Sequence, residues 1–361
     1  MSTHAAIVTV SPRSPLQVLQ LPTPVPTANE VLIRNLWTAS TPLDLHQADG
    51  GLLVTHPQVL GDGTAGTVTA VGPEVKRLKV GDRVFGFTWR NPKEKAHQEF
   101  VCAPEKLLGV VPEGVSFQEA VTLPNNFVTA FHTLVTDLHL ELPWPKPEDW
   151  SPPPNLATKQ ILIWGGSSSV GQFALQLLNY YGYTHVTTTA SPANHPLLRR
   201  CGPPGLRIHN YRPASTAIST LSQQPFDLVL DCIGSLSGSL TPISRIVSKT
   251  GAVVAVLLPV IVVPATEHEK PEYDMRPEEV VEWAKGVEVV GVRTHHYLDN
   301  EWMGEYLQGV VMPGMLDRGV VTPQKQRVVE GETMVERAEK ARGILREGVS
   351  GERLVWRVGE E

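Results

Sequence analysis

From Ala6 to about Ser116 the chain alternates short β-branched runs with turn residues, as in AAIVTV, EVLIRNL, GTVTAV, DRVFGF and KLLGVVP. Runs of this kind, with glycines falling between them, predict an all-β region. The pattern changes at Ser116. There SFQEAVTLPNNFVTAFHTLV opens with a capping box, Ser116 with Glu119, and continues with apolar residues at helical spacing. LPWPKPEDWSPPPN, from Leu142 to Asn155, is too rich in proline for a helix and predicts a surface loop.

Beyond it the period shifts to βαβ units. Gln160–Trp164 reads as a buried strand, Ser169–Tyr181 as a helix and His185–Thr189 as a second strand. Phe226–Asp231 and Ala252–Leu257 repeat the apolar-strand signal, so a parallel, doubly wound sheet is the economical architecture. After about Glu267 the text turns acidic and mixed, with a strand-like VEVVGVR, helices near Glu301–Arg318 and Glu332–Arg346, and a last strand at Arg353–Val358. That tail is too small for a third domain. The expected division is therefore a β-rich domain over 1–122, an inserted α/β domain over 123–270, and a return segment over 271–361 that completes the first.

Composition narrows the chemistry. Lys plus Arg number 31 against 37 Asp plus Glu, a net charge of −6, which is the wrong sign for a nucleic-acid surface. The longest apolar run, Gly251 to Pro264, is interrupted by Pro259 and is shorter than a membrane span. The N-terminal residues lack the features of a secretory signal. The three cysteines, Cys102, Cys201 and Cys232, lie far apart, so they form neither a disulfide framework nor a zinc knuckle. The expectation is a cytoplasmic protein without nucleic-acid or membrane partners, monomeric or homodimeric.

ILIWGGSSSVGQFALQLLNYYG is a strand, a tight Gly/Ser turn and a helix, an arrangement whose free backbone N–H groups suit a pyrophosphate. An enzyme preferring NADH would end its second strand with an acidic residue for the ribose 2′-hydroxyl. This strand ends in TTTASPANH, and no Asp or Glu occurs from Gln172 to Phe226, whereas Arg199, Arg200, Arg207 and Arg212 do. A 2′-phosphate, and hence NADPH, is the matching cofactor.

These residues resemble the medium-chain dehydrogenase/reductase superfamily in its quinone-reductase-like, enoyl-reductase branch. The matching stretches are LGDGTAGTVTAVGPEVKRLKVGDRVFGF (60–87), LPNNFVTAFHTL (123–134), LIWGGSSSVGQFALQLLNYYGY (162–183), TTASP and NYR, LDCIGS (230–235) and SGERLVWRV (350–358). Within that branch the chain looks like the trans-acting enoyl reductases of fungal polyketide synthesis and the toxin-cluster oxidoreductases near them. The resemblance implies a GroES-like β-rich catalytic domain with an inserted Rossmann sheet. Zinc enzymes of the superfamily carry a cysteine ligand where this chain reads Ala39-Ser40-Thr41, and Gly-His-Glu where it reads Gly61-Asp62-Gly63. The four-cysteine lobe is replaced by FTWRNPKEKAHQEF, so no zinc site is expected.

The implied activity is NADPH-dependent reduction of an activated C=C bond, on a small-molecule or carrier-tethered acyl substrate, with a polyketide synthase as the implied partner. Alternatives are a quinone or small-enone reductase acting on free substrates, and a non-catalytic NADPH-binding protein. TPLDLHQADGG (41–51) resembles the stretch that lines the nicotinamide pocket, with Thr41 and Asp44 at the cofactor. His46 is the candidate catalytic residue, as proton donor or substrate-orienting group. Residue by residue, Thr129 is assigned to the carboxamide, and Gly166, Ser167, Ser168, Ser169 and Val170 to the pyrophosphate. Ser191, Asn194 and Tyr211 are assigned to the 2′-phosphate ribose, Leu257 and Leu258 to the nicotinamide ring, and Glu352 and Arg353 to the far side of the cleft.

Overall fold

A computed structural model describes residues 2–212 and 214–359. The chain divides into two compact units. One comprises Met1–Asn125, Pro264–Pro271 and Leu298–Glu361, the other Asn126–Val263 and Glu272–Tyr297.

The first unit is built on a seven-stranded sheet. Arg353–Arg357 and Gly63–Val71 flank the long strand Glu30–Ala39, both antiparallel to it, and Phe100–Pro104 also pairs with that strand. A three-stranded sheet, Gln17–Pro22, Thr3–Thr9 and Gln58–Val59, completes its β structure. The helix Pro42–Gly50 leaves the end of the long strand with proline in its first turn, where a missing N–H costs nothing. Ile7, Leu60, Leu354 and Trp356 form a core with Ala338 and Ala341 of the helix Met334–Glu347.

The second unit holds a six-stranded parallel sheet in the order Arg207–His209, Val186–Thr189, Ile161–Trp164, Leu228–Asp231, Val253–Leu257, Glu288–Val292. The order reverses at Ile161–Trp164, where chains of this kind open a ligand crevice at the carboxyl ends of their strands. Leu162, Trp164, Val229 and Val254 are buried in its core.

Two expectations are corrected. The return to the first unit comes after Tyr297 instead of at 271, because Glu288–Val292 pairs in register with Val253–Leu257, from Val253 opposite Glu288 to Leu257 opposite Val292. Pro264–Pro271 joins the first unit earlier, where the Arg13 guanidinium donates to the carbonyls of Glu267 and Glu269. The helix expected from Ser116 is two helices, Phe117–Ala120 and Pro124–His132, since Pro124 starts a new one. The Ser116–Glu119 capping box forms as read, with Glu119 N–H donating to Ser116 Oγ at 3.2 Å and Ser116 N–H to Glu119 Oε2 at 2.8 Å.

One buried ion pair fixes the helix Pro42–Gly50. Asp49 is fully buried, and Arg346 of the helix Met334–Glu347 donates to both its oxygens at 2.7 and 2.8 Å. Without Arg346 the buried Asp49 carboxylate keeps only the Arg342 guanidinium, 3.9 Å away. Arg346→Met is expected to lower the unfolding free energy by about 3 kcal/mol, read from denaturant titration, and a loss below about 0.5 kcal/mol contradicts the clamp.

Candidate active site

The Gly/Ser turn of the second unit is pre-formed by its neighbours. Gly165 adopts a left-handed φ of 82°, and its N–H donates to Thr189 Oγ1 at 2.9 Å, while Gly166 N–H donates to the Thr189 carbonyl at 2.9 Å. A Cβ on Gly166 would lie 2.1 Å from Thr188 Oγ1, and one on Gly171 would lie 2.6 Å from the Gly165 carbonyl oxygen. Glycine is therefore obligatory at both, and the helix Ser169–Tyr180 packs directly on the turn. Ser168 caps it by accepting from Gly171 N–H at 3.0 Å. Ser167 and Val170 are buried. This cradle fits a dinucleotide pyrophosphate.

Ser191, Asn194 and Tyr211 gather at the carboxyl ends of two adjacent strands, Val186–Thr189 and Arg207–His209. Asn194 Nδ2 donates to Ser191 Oγ at 3.2 Å, and Ala190 N–H donates to the His209 carbonyl, joining the two loops. The Arg212 guanidinium lies over the Tyr211 ring at 5.1 Å. Arg199 and Arg200 are exposed on the helix His195–Cys201. On the other side of the switch point, Leu257 ends its strand and Leu258 follows it, both half-buried. Thr129 is buried on the helix Pro124–His132, and its hydroxyl oxygen accepts from Thr294 Oγ1 at 3.0 Å.

Sequence reasoning passed over Asp231. It is fully buried and accepts from Ile233 and Gly234 N–H and from Ser239 Oγ, at 2.9, 3.2 and 2.6 Å. It thereby shapes the loop after Leu228–Asp231, beside the glycine turn. The signal was an acidic residue at the end of the apolar run in LDCIGS.

In the first unit, Thr41, Asp44 and Arg353 come together with residues that the sequence had not singled out: Asp62, Lys95 and His97. Asp44 Oδ2 accepts the Thr41 N–H at 2.7 Å and Oδ1 accepts the Gly61 N–H at 3.2 Å, so one carboxylate ties the helix start to the strand Gly63–Val71. Asp62 accepts from Asn125 Nδ2 at 3.2 and 3.3 Å, and Arg353 Nη2 donates to Asn125 Oδ1 at 3.2 Å. The charges of Lys95 and Arg353 act on both carboxylates. Burial nevertheless raises the pKa of Asp44 and of Asp62, and the charge of Asp44 raises Asp62 further.

Lys95 and His97 arrive on the loop 88–99, which is organised around one carboxylate. Glu94 is fully buried and accepts from Arg90 N–H, Nε and Nη2 and from Asn91 Nδ2. The His97 ring packs edge-on to Trp356 at 4.7 Å, and its Nε2 is 3.9 Å from Asp44 Oδ1. Neither ring nitrogen has a hydrogen-bond partner among the described residues, and burial lowers its pKa to about 3.

His46 sits on the same helix as Asp44 and is buried, and this lowers its pKa to about 4, partly opposed by Asp49. At neutral pH it is an uncharged imidazole, suited to orienting a neighbour and not to supplying a proton. Glu352 pairs with Lys325 at 2.9 Å and Arg327 at 3.6 Å. At the zinc-ligand positions of relatives, Ser40 Oγ accepts from Trp356 Nε1 at 2.9 Å and Asp62 shares its surroundings with two cations. That donor set does not fit zinc, and among the described residues no group of three or more His, Cys, Asp or Glu is placed to hold a metal ion.

Residues 27–133 match the alcohol dehydrogenase GroES-like domain. The fold is that of the quinone oxidoreductase from Coxiella burnetii, with a TM-score of 0.71 at 22% identity, covering 99% of this chain and 100% of that one. The match places an alcohol dehydrogenase GroES-like domain in residues 27–133, and the fold of the whole chain is the one that this quinone oxidoreductase has. More narrowly, it is similar to a trans-enoyl reductase of Aspergillus japonicus, 35% identical over 212 residues, which are 57% of this chain and 59% of that protein. It is also similar to the enoyl reductase component of the lovastatin nonaketide synthase of Aspergillus terreus, 32% identical over 218 residues, 59% of this chain and 58% of that one. The aligned stretches span less than two thirds of these relatives.

The buried imidazoles make stability pH-dependent. Because folding lowers the proton affinity of His97, the unfolded chain takes up a proton first as the pH falls below about 6.5, and stability is lost towards acid. His97→Gln removes that site. Its stability difference between pH 6.5 and pH 5 is expected to be smaller than the native one by about 2 kcal/mol, and equal differences contradict the buried neutral state.

Proposed function

We propose that the chain is an NADPH-dependent reductase of a C=C bond conjugated to a carbonyl, acting in trans on an acyl chain carried by a polyketide synthase. The observation that carries the cofactor choice is the corner formed by Ser191, Asn194 and Tyr211, with Arg212 over the tyrosine and no carboxylate from Gln172 to Phe226. A carboxylate there would repel a 2′-phosphate, and hydroxyl, amide and guanidinium groups attract it. The relatives named trans-enoyl reductase and enoyl reductase component support the reaction and the partner.

When bound, the nicotinamide supplies a hydride. The chain's residues bind and orient. The turn from Gly166 to Val170 holds the pyrophosphate; Ser191, Asn194 and Tyr211 hold the phosphorylated ribose. Thr129 holds the carboxamide, Leu257 and Leu258 flank the ring, and Thr41, Asp44, Glu352 and Arg353 are further cofactor-binding residues. His46, uncharged, orients the acceptor. Conjugation to a thioester or ketone makes the β-carbon electrophilic without a metal, since hydrogen bonds hold the negative charge that develops on the carbonyl oxygen.

The test is turnover of NADPH and NADH with a crotonyl-type pantetheine thioester, a quinone and an aldehyde. NADPH with the thioester is expected to be the preferred pair, by at least about tenfold in kcat/KM over NADH, equivalent to about 1.4 kcal/mol. Arg212→Ala is expected to raise KM for NADPH about tenfold and leave that for NADH unchanged. Turnover of quinones alone points to a reductase of free acceptors. NADPH binding without turnover of any acceptor points to a binding protein.

A further inference from the structure

We propose that the Asp44–Asp62 pair is the acid of the reduction, with Asp62 carrying the proton that reaches the acceptor carbon beside the carbonyl and Asp44 positioning it. This rests on the reductase reading above. The two carboxylates are joined through one residue, since the Gly61 N–H that Asp44 accepts belongs to the residue immediately before Asp62. Their roles differ in geometry. Asp44 spends both oxygens on backbone N–H groups and so is fixed, whereas Asp62 takes only the neutral side-chain amide of Asn125, at 3.2 and 3.3 Å. A carboxyl held that loosely is free to give up and regain a proton.

Unpartnered polar atoms adjoin the pair. Thr41 is 2% exposed and its Oγ1 has no hydrogen-bond partner among the described residues, although its own N–H is bonded to Asp44. His97, also 2% exposed, has two orphan ring nitrogens beside Asp44. Buried polar atoms without partners lose their hydration uncompensated, so their presence here points to a group that they receive. A hydroxyl both accepts and donates, which makes Thr41 the exit for the proton. His97 does not compete for it, because burial keeps the ring neutral.

The charged and titratable groups facing Asp62 are Asp44 from the helix Pro42–Gly50, Lys95 and His97 from the loop 88–99, and Arg353 from the strand Arg353–Arg357. The cations allow the carboxylate to form, and burial with the neighbouring Asp44 charge favours the acid, so both protonation states are accessible. In the step itself, the Thr41 O–H bond breaks as a C–H bond forms at the acceptor's α-carbon, and the Thr41 oxygen takes the Asp62 proton in its place, so that the net bond broken is the Asp62 O–H. The electron pair for that bond is the one left on the acceptor once hydride has added at the β-carbon. The carboxylate regains its proton from water before the next cycle.

Infrared difference spectroscopy of the full chain with NADPH bound, titrated from pH 5 to pH 8, reads the proton directly. A protonated-carboxyl band that titrates in this range is expected in the native protein and absent in Asp62→Asn, and Lys95→Met is expected to move its midpoint to higher pH by about one unit, since a stabilising cation is lost. In single turnover with the thioester, Asp62→Asn is expected to form reduced product at least about 100-fold more slowly, with the NADPH Kd within about threefold of native and partial recovery in Asp62→Glu. A titrating band that survives in Asp62→Asn, or native-rate product formation by that variant, overturns the acid role and leaves the reductase reading intact. A native protein that reduces no enoyl thioester overturns both.

Discussion

Burying charge is the constraint on which the first unit depends. A carboxylate removed from water is costly unless cations and hydrogen bonds replace the solvent, and this unit buries two carboxylates, Asp44 and Asp62, against Lys95 and Arg353. Each partner comes from a different part of the chain. Asp44 lies in the first turn of a helix, Asp62 precedes a strand, Lys95 is on an irregular loop, and Arg353 opens the last strand. Satisfying the charges therefore requires all four segments to be in place at once, which couples local geometry to completion of the unit.

The same logic explains the loop 88–99. Stretches without regular structure need another source of order, and Glu94 supplies it by gathering four donors from Arg90 and Asn91 around one buried carboxylate. The order has a use beyond the loop itself, because the next residues, Lys95 and His97, are thereby delivered to the acidic pair. In the second unit, Asp231 does similar work for the loop that faces the glycine turn. In all three places a buried carboxylate organises backbone, and in the first it also retains chemistry.

The class of protein was legible in short stretches of sequence. The glycine turn, its capping serine and the strands on either side are local features, dictated by steric exclusion and by the two-residue period of buried strands, and the structure reproduces them within a residue or two. Thr129, Ser191, Asn194 and Tyr211 were assigned by their place in a resemblance, and the structure sets Asn194 against Ser191 and Arg212 against Tyr211. The strand in VEVVGVR was legible, but the unit that takes the segment 272–297 was not, because the strand's pairing partner lies more than 30 residues away. Only its pairing with Val253–Leu257 assigns it to the parallel sheet.

By itself, then, the sequence determined the strand and helix pattern, the doubly wound order, the glycine turn and which residue types stand at the zinc-ligand positions of relatives. Each of these depends on neighbours in the chain or on residue types that are either present or missing. The tertiary structure decided the protonation chemistry. Asp62 and His97 read as isolated polar residues because nothing within a few positions of them reveals burial, and proton affinity depends on the solvent removed and the charges brought near. His46 shows the converse: its place in the motif was visible, but only its burial showed that it is uncharged at neutral pH.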